Sequence, residues 1–185
     1  MVANATRDRW AAVMRLVGLG LAVAALVGVT VWFRLFPPGS RLLHRPAPDF
    51  SLPVMANGDP EARLRLSDLT GNVVVLDFWA SWCEPCGMQA PILERFARSH
   101  QGEAVVVGIN LDDDPGVIAQ YVRQKSLTYP MVSDENGEVR SAYDANNLPT
   151  LVVVDPHGNV AAAMQGLVAR AQLDAAFAAA RKPSG

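Results

Sequence analysis

Val73-Val74-Val75-Leu76-Asp77-Phe78-Trp79 is a run of β-branched, aliphatic and aromatic residues interrupted by one acid, and four residues beyond it an amphipathic helix begins. The run reads as a strand. Met88, Ile92, Leu93 and Phe96 recur at helical spacing after it. A strand that passes straight into a helix and on to a second strand is the unit in which parallel strands are joined by a right-handed crossover. In the junction lie the chain's only two cysteines, Cys83 and Cys86, as Trp82-Cys83-Glu84-Pro85-Cys86. There the free N–H groups and positive dipole end of the helix favour a thiolate over a thiol, and the thiolate is the nucleophile of disulfide exchange.

Two other uses of a C-x-x-C pair fit less well. Structural zinc usually takes four ligands, whereas there is no further cysteine and His44, His100 and His157 are scattered singly. A purely structural disulfide across two residues closes too short a loop to constrain the unfolded chain much. Reversible dithiol–disulfide cycling between Cys83 and Cys86 is the reading that remains, with no metal and no cofactor beyond that pair.

Further strands are expected over about 104–110, near Tyr129–Val132, and over Thr150–Val154 and Val160–Met164, the last two forming a hairpin through Asp155-Pro156-His157-Gly158. His157 reads as a turn residue. Val117, Ile118, Tyr121 and Val122 mark a second amphipathic helix. Asp114 is expected to cap it, with Pro115 at the first helical position. The acid run Asp112-Asp113-Asp114 also raises a cation site as a weaker alternative. Val139, Ala142 and Tyr143 suit a brief helix after the turn Asp134–Gly137, and Leu173, Ala176, Phe177 and Ala180 a closing one. Residues 50–66, with the turn signal Asn57-Gly58-Asp59-Pro60, read as a hairpin-like lead-in. The expected architecture is α/β, a mixed sheet with helices on both faces.

Ahead of this domain, Leu16–Phe33 holds eighteen residues without a charge. As a helix it would be about 27 Å long, close to the hydrocarbon thickness of a bilayer. Arg15 can snorkel at one end, and Trp32 and Phe33 suit the opposite interface. A cleaved signal peptide would need small residues after the apolar run, where the chain reads Trp32-Phe33-Arg34-Leu35-Phe36 instead. A single-pass anchor is expected, followed by a proline-rich spacer, so that residues 1–45 form anchor and linker and 46–185 the domain. The arginines flanking the run are nearly balanced, so the orientation rests on compartment: a lone dithiol suits an oxidising space outside the cytoplasm. The expected topology is N-terminus inside, domain outside. Residues 46–185 carry a net charge of −7 with no basic stripe, which gives nucleic acid no footing.

Four segments together resemble one family: Ala47-Pro48-Asp49-Phe50 at the domain start, Phe78-Trp79-Ala80-Ser81-Trp82-Cys83-Glu84-Pro85-Cys86, Pro91 in the following helix, and Leu148-Pro149-Thr150 before the hairpin. Over about residues 46–182 the chain resembles the thioredoxin-fold thiol–disulfide oxidoreductases, specifically their membrane-anchored TlpA/ResA-type branch. Peroxiredoxins share an Ala-Pro-Asp-Phe-like entry, but without this C-x-x-C. The resemblance implies a thioredoxin-like fold with an N-terminal β-hairpin extension and an inserted helix, preceded by one transmembrane helix. It implies an enzyme that reduces protein disulfides outside the cytoplasm, drawing electrons from a thiol donor in the membrane, with clients in cytochrome c maturation or copper-site assembly.

By the same resemblance Cys83 is the attacking thiol, exposed at the helix start, and Cys86 the more buried resolving thiol. Asp77, an acid in an apolar strand, should have a raised pKa and is expected to move the proton of Cys86. A hydrogen-bonded core carboxyl or an acid at a solvated strand edge are its plain alternatives. Pro149 resembles the cis-proline that faces the cysteines, against an ordinary strand-start proline. Trp82, Glu84, Pro85 and Leu148 are the expected client contacts. Glu84 adds negative charge beside Cys83 and disfavours its thiolate, which points to a reducing pair. Pro91 should kink its helix. Cytochrome-c-maturation members often carry Glu three residues after the second cysteine, where this chain has Gln89. The rival of another class is a module holding Cu(I) on Cys83 and Cys86, for which no nearby His-x-Met pattern completes a site.

Overall fold

The computed structural model describes residues 41–111 and 113–182 and, nearer the N-terminus, only Gly18, Gly20 and Leu26. The anchor expected over Leu16–Phe33 therefore lies outside the described residues. Among the described residues no helix is long and apolar enough to cross a membrane.

Among the described residues seven strands form one sheet: β1 (Ser51–Ala56), β2 (Arg63–Arg65), β3 (Val73–Trp79), β4 (Ala104–Asn110), β5 (Met131–Ser133), β6 (Thr150–Val154) and β7 (Val160–Gln165), in the order β2-β1-β5-β4-β3-β6-β7. The helices are α1 (Glu84–Ser99), α2 (Pro115–Lys125), α3 (Glu138–Ala142) and α4 (Arg170–Ala180), with a 3-10 turn at Leu66–Leu69. β3 and β4 are parallel around α1, and β5 continues the parallel set. β6 pairs antiparallel with β3, and β7 with β6. β1 and β2 form the expected hairpin, and β1 also joins the sheet by pairing antiparallel with β5.

Every residue of β3 is buried, because the strand has a core on each side. Val73, Val75 and Trp79 point into one cluster with Leu93 and Phe96 of α1, Ile118 and Tyr121 of α2, and Leu173 and Phe177 of α4. Val74, Leu76 and Phe78 point into another with Phe50, Leu52, Leu66, Val139 and Tyr143. The helices are thus unevenly shared. Three long ones cover the first face, while the five-residue α3, the 3-10 turn and the lead-in segment cover the second. Tyr143 fastens that second layer, its ring 5.4 Å from Phe78 and its hydroxyl donating to the Pro48 carbonyl at 2.7 Å.

β5 is shorter than expected. Tyr129 and Pro130 lie outside it, as proline has no N–H to give a ladder, and the Pro130 carbonyl accepts from Gly108 at 2.9 Å.

Candidate active site

The site forms where β3 stops. Ala80, Ser81 and Trp82 turn the chain, and Cys83 becomes the N-cap of α1, its Sγ accepting from the Cys86 N–H at 3.2 Å. Pro85 lies in the first turn of the helix, where its missing N–H costs nothing. Cys83 and Cys86 are joined by a disulfide. Both cysteines therefore sit on the helix's positive end, where released electron density on Cys83 would be stabilised.

One expectation is corrected here. Cys83 is 6% exposed and Cys86 2%, so neither sulfur stands open. In the oxidised chain Sγ of Cys83 is bonded to Cys86, and the exposed surface belongs to its neighbours: Trp82 is 69% accessible, and Glu84 and Pro85 are exposed. A cleft of about 400 Å³ opens beside them, lined by Trp82, Cys83, Glu84, Pro85, Leu148 and Arg140, among others. All four of the expected client-contact residues thus share one cleft with Cys83. The peptide bond from Leu148 to Pro149 is cis. Pro149 itself is buried, and its carbonyl accepts from the Gly166 N–H at 2.8 Å.

Asp77 lies in β3 between Val75 and Trp79, which share the helix-covered core with Cys83 and Cys86. It is 4% exposed, and its Oδ1 has no hydrogen-bond partner among the described residues. Burial pushes its pKa from 3.8 to about 7. It is thus neither a carboxyl at a solvated edge nor one whose two oxygens are both satisfied.

The acid run after β4 behaves differently from its sequence reading. Asp114 holds the N-cap position of α2 and Pro115 follows it, but the Asp114 side chain makes no cap bond; its carbonyl accepts from Val117 and Ile118. Asp113 instead reaches back to the loop before the cysteines. Its carboxylate accepts from the Ser81 N–H, the Ser81 hydroxyl and the Asn110 amide, each at 2.7 Å. This clamp fixes the turn carrying Trp82 and Cys83 to the end of β4. A contact between residues 81 and 113 has no local signature, whereas Arg140, Asn146 and Asn147 in the cleft could have been suspected from their nearness in sequence to Pro149. Among the described residues no cluster of three or more His, Cys, Asp or Glu is arranged to hold a metal ion.

Pro91 and Gln89 also acquire local reasons. Pro91 cannot donate to the carbonyl of Gly87, four residues earlier, and Lys125 of α2 donates to that carbonyl at 3.3 Å. α1 runs on through Pro91 to Ser99. Gln89 is fully buried, and its Oε1 accepts from the Val168 N–H at 2.8 Å, tying α1 to the chain that leads into α4.

Comparison with known proteins bears on the whole of this unit. Residues 43–163 match the model of the AhpC/TSA family. The chain belongs to the AhpC/TSA family. Within it the chain is 32% identical over 161 residues to the thiol-disulfide oxidoreductase ResA of Geobacillus thermodenitrificans, covering 85% of this chain and 89% of that one. A crystal structure assigned to a thiol:disulfide interchange protein DsbE from Chlorobium tepidum superposes with a TM-score of 0.67 at 31% identity, over 73% of this chain and 94% of that one. A secreted thiol-disulfide isomerase from Corynebacterium glutamicum gives the same TM-score, 0.67, at 25% identity, over 74% of this chain and 86% of that one. This AhpC/TSA chain is thereby a thiol–disulfide oxidoreductase of the ResA/DsbE type with a thioredoxin-like fold, in line with the resemblance its motifs carry.

Proposed function

We propose that this chain reduces disulfides of client proteins outside the cytoplasm, held to the membrane by residues 16–33 and recharged by a thiol donor in that membrane. The reading is carried by the Cys83–Cys86 disulfide capping α1 beside a cleft, with the Asp77 carboxyl buried in β3. In the reduced chain the Cys83 thiolate attacks one sulfur of a client disulfide, and the other client sulfur leaves as a thiolate. Cys86 then gives its proton to Asp77 and attacks Cys83 Sγ, releasing the second client sulfur. Two electrons pass to the client and the Cys83–Cys86 bond re-forms. Trp82, Glu84, Pro85 and Leu148 hold the client strand in the cleft, and Pro149 sets the chain edge along which it lies.

Clients in cytochrome c maturation or copper-site assembly suit a reductase of this placement. The extracytoplasmic reading is supported by the uncharged run 16–33, the absence of further cysteines and the secreted Corynebacterium relative. Cys86→Ala, expressed in the native membrane, should accumulate mixed disulfides through Cys83, and the captured proteins name the client. Capture of no protein by a folded Cys86→Ala chain would refute the reading. A reporter fused after Gly185 that is active only in the cytoplasm would refute the topology.

A further inference from the structure

Asp77 has polar company that the exchange chemistry leaves unexplained. Five side-chain atoms are buried without a hydrogen-bond partner among the described residues; besides Gln89 Nε2 they are Asp77 Oδ1, Trp79 Nε1, Tyr121 Oη and Tyr129 Oη, whose residues stack on or interact with one another. They converge because of the sheet. Asp77 of β3 stands opposite Gly108 of β4, and Gly108 opposite Met131 of β5. Gly108 has no side chain, and a Cβ there would lie 2.2 Å from Met131 Sδ and 3.1 Å from Trp79 Nε1. The space beside Asp77 is therefore bounded by Met131 and the Trp79 indole. Tyr129 enters two residues before Met131, and Tyr121 stacks on Trp79 with ring centroids 4.3 Å apart.

We propose that the Tyr121 and Tyr129 hydroxyls and the Trp79 indole N–H form, with Asp77, a water-linked hydrogen-bond network that sets the protonation of the Asp77 carboxyl. A buried polar group left unpaired is costly. Four clustered donors and acceptors are what an internal water with two to four partners resolves. None of the four lines the client cleft, so these are positioning residues that act through Asp77.

The phenols respond to the same field: burial first, then the Asp77 charge, pushes Tyr121 up to about 12 and Tyr129 well above its ordinary value. The other charged groups around them are Glu94 of α1, Lys125 of α2 and Asp113 of the loop before α2; Cys83 and Cys86, joined in the disulfide, do not titrate in the oxidised chain. Glu94 is held by the Thr128 N–H at 2.8 Å and hydroxyl at 2.9 Å. Lys125 Nζ lies 5.9 Å from the Tyr121 ring centre.

The catalytic meaning of the network rests on Asp77 taking the proton of Cys86, but its existence is tested without turnover. Donors to a carboxylate lower its pKa, so losing one raises it. The carboxyl carbon of Asp77 is followed by NMR through a pH titration of the oxidised full chain, with Asp77→Asn identifying the resonance. Tyr129→Phe and Tyr121→Phe should each move the Asp77 midpoint upward by about one unit, the equivalent of one charge-assisted hydrogen bond. Tyr143→Phe, on the opposite face of the sheet, should leave it in place. A midpoint that stays put or falls in both Phe variants overturns the inference, as does an equal rise in Tyr143→Phe. Should the midpoint move as stated while Asp77→Asn leaves the pH dependence of reduction unchanged, the network stands and the proton-transfer role of Asp77 falls.

Discussion

Replacing Asp77 by Asn makes the pH dependence of stability a reading of how far this carboxyl is withdrawn from water. Burial raises its pKa from 3.8 to about 7, so the folded chain holds this proton more tightly than the unfolded chain does. Below pH 3.8 both states are protonated and no stability is lost. Between 3.8 and about 7 the unfolded chain ionises first, stability falls as pH rises, and above about 7 the loss is complete. At about 1.4 kcal/mol per pKa unit, this rise withdraws about 4 kcal/mol. Net folding free energies are typically about 5–15 kcal/mol, so the effect is large. Asn has the same shape and does not ionise. Its buried amide carries a cost of about 1–3 kcal/mol, and that cost does not change with pH. The expected result is therefore a slope: relative to wild type, Asp77→Asn gains about 4 kcal/mol between about pH 4 and pH 8. Urea unfolding of the oxidised full chain at closely spaced pH values measures it. A difference that stays flat across that range would refute the burial of an ionisable Asp77.

Other perturbations test other parts of the account. Asp113→Ala removes the acceptor of both Ser81 donors and of the buried Asn110 amide; a loss of about 1–3 kcal/mol in urea unfolding is expected, and an unchanged midpoint would show the clamp to be idle. Gly108→Ala drives a methyl to 2.2 Å from Met131 Sδ and should destabilise by about 1–3 kcal/mol through overpacking, read as a lowered melting temperature. Glu84→Gln removes the charge beside Cys83, so alkylation of Cys83 in the reduced chain should reach its plateau at lower pH. For wild type the redox potential should lie nearer the thioredoxin value of about −270 mV than the strongly oxidising value of about −120 mV, as equilibration with glutathione buffers would reveal.

How much of this was readable in advance follows from how local each cause is. Val73–Trp79 and Glu84–Ser99 were legible residue for residue, since an apolar run and a helical repeat flanking a cap need no distant partner. The β6–β7 hairpin was legible for the same reason, with Asp155 accepting from His157 and Asn159 to hold the turn. What escaped depends on residues far apart in sequence. β1 enters the main sheet by pairing Val54 with Val132, and Asn57 secures that edge by donating to the carbonyls of Leu127 and Tyr129. Asp113 read only as one of the acids before α2, because its partner Ser81 lies 32 residues away. The two cysteines, Asp77 and the cleft residues Trp82, Glu84, Pro85 and Leu148 were all visible from motif and strand pattern. The near-complete burial of Cys83 was not, because it depends on packing around the oxidised pair. The grouping of Asp77, Trp79, Tyr121 and Tyr129 was likewise invisible, as it arises only where β3, β4, α2 and the segment before β5 meet.

Electron transfer from Cys83 and Cys86 to a protein disulfide is the most direct measurement of all. The full chain, reduced and freed of small thiols, is mixed anaerobically with insulin, and free thiols on both proteins are counted with time. One insulin disulfide should open for each Cys83–Cys86 bond formed. Cys83→Ser should be inert and Cys86→Ala should stop at the mixed disulfide. Insulin left intact by a folded, fully reduced chain, or opened equally well by Cys83→Ser, would contradict the account.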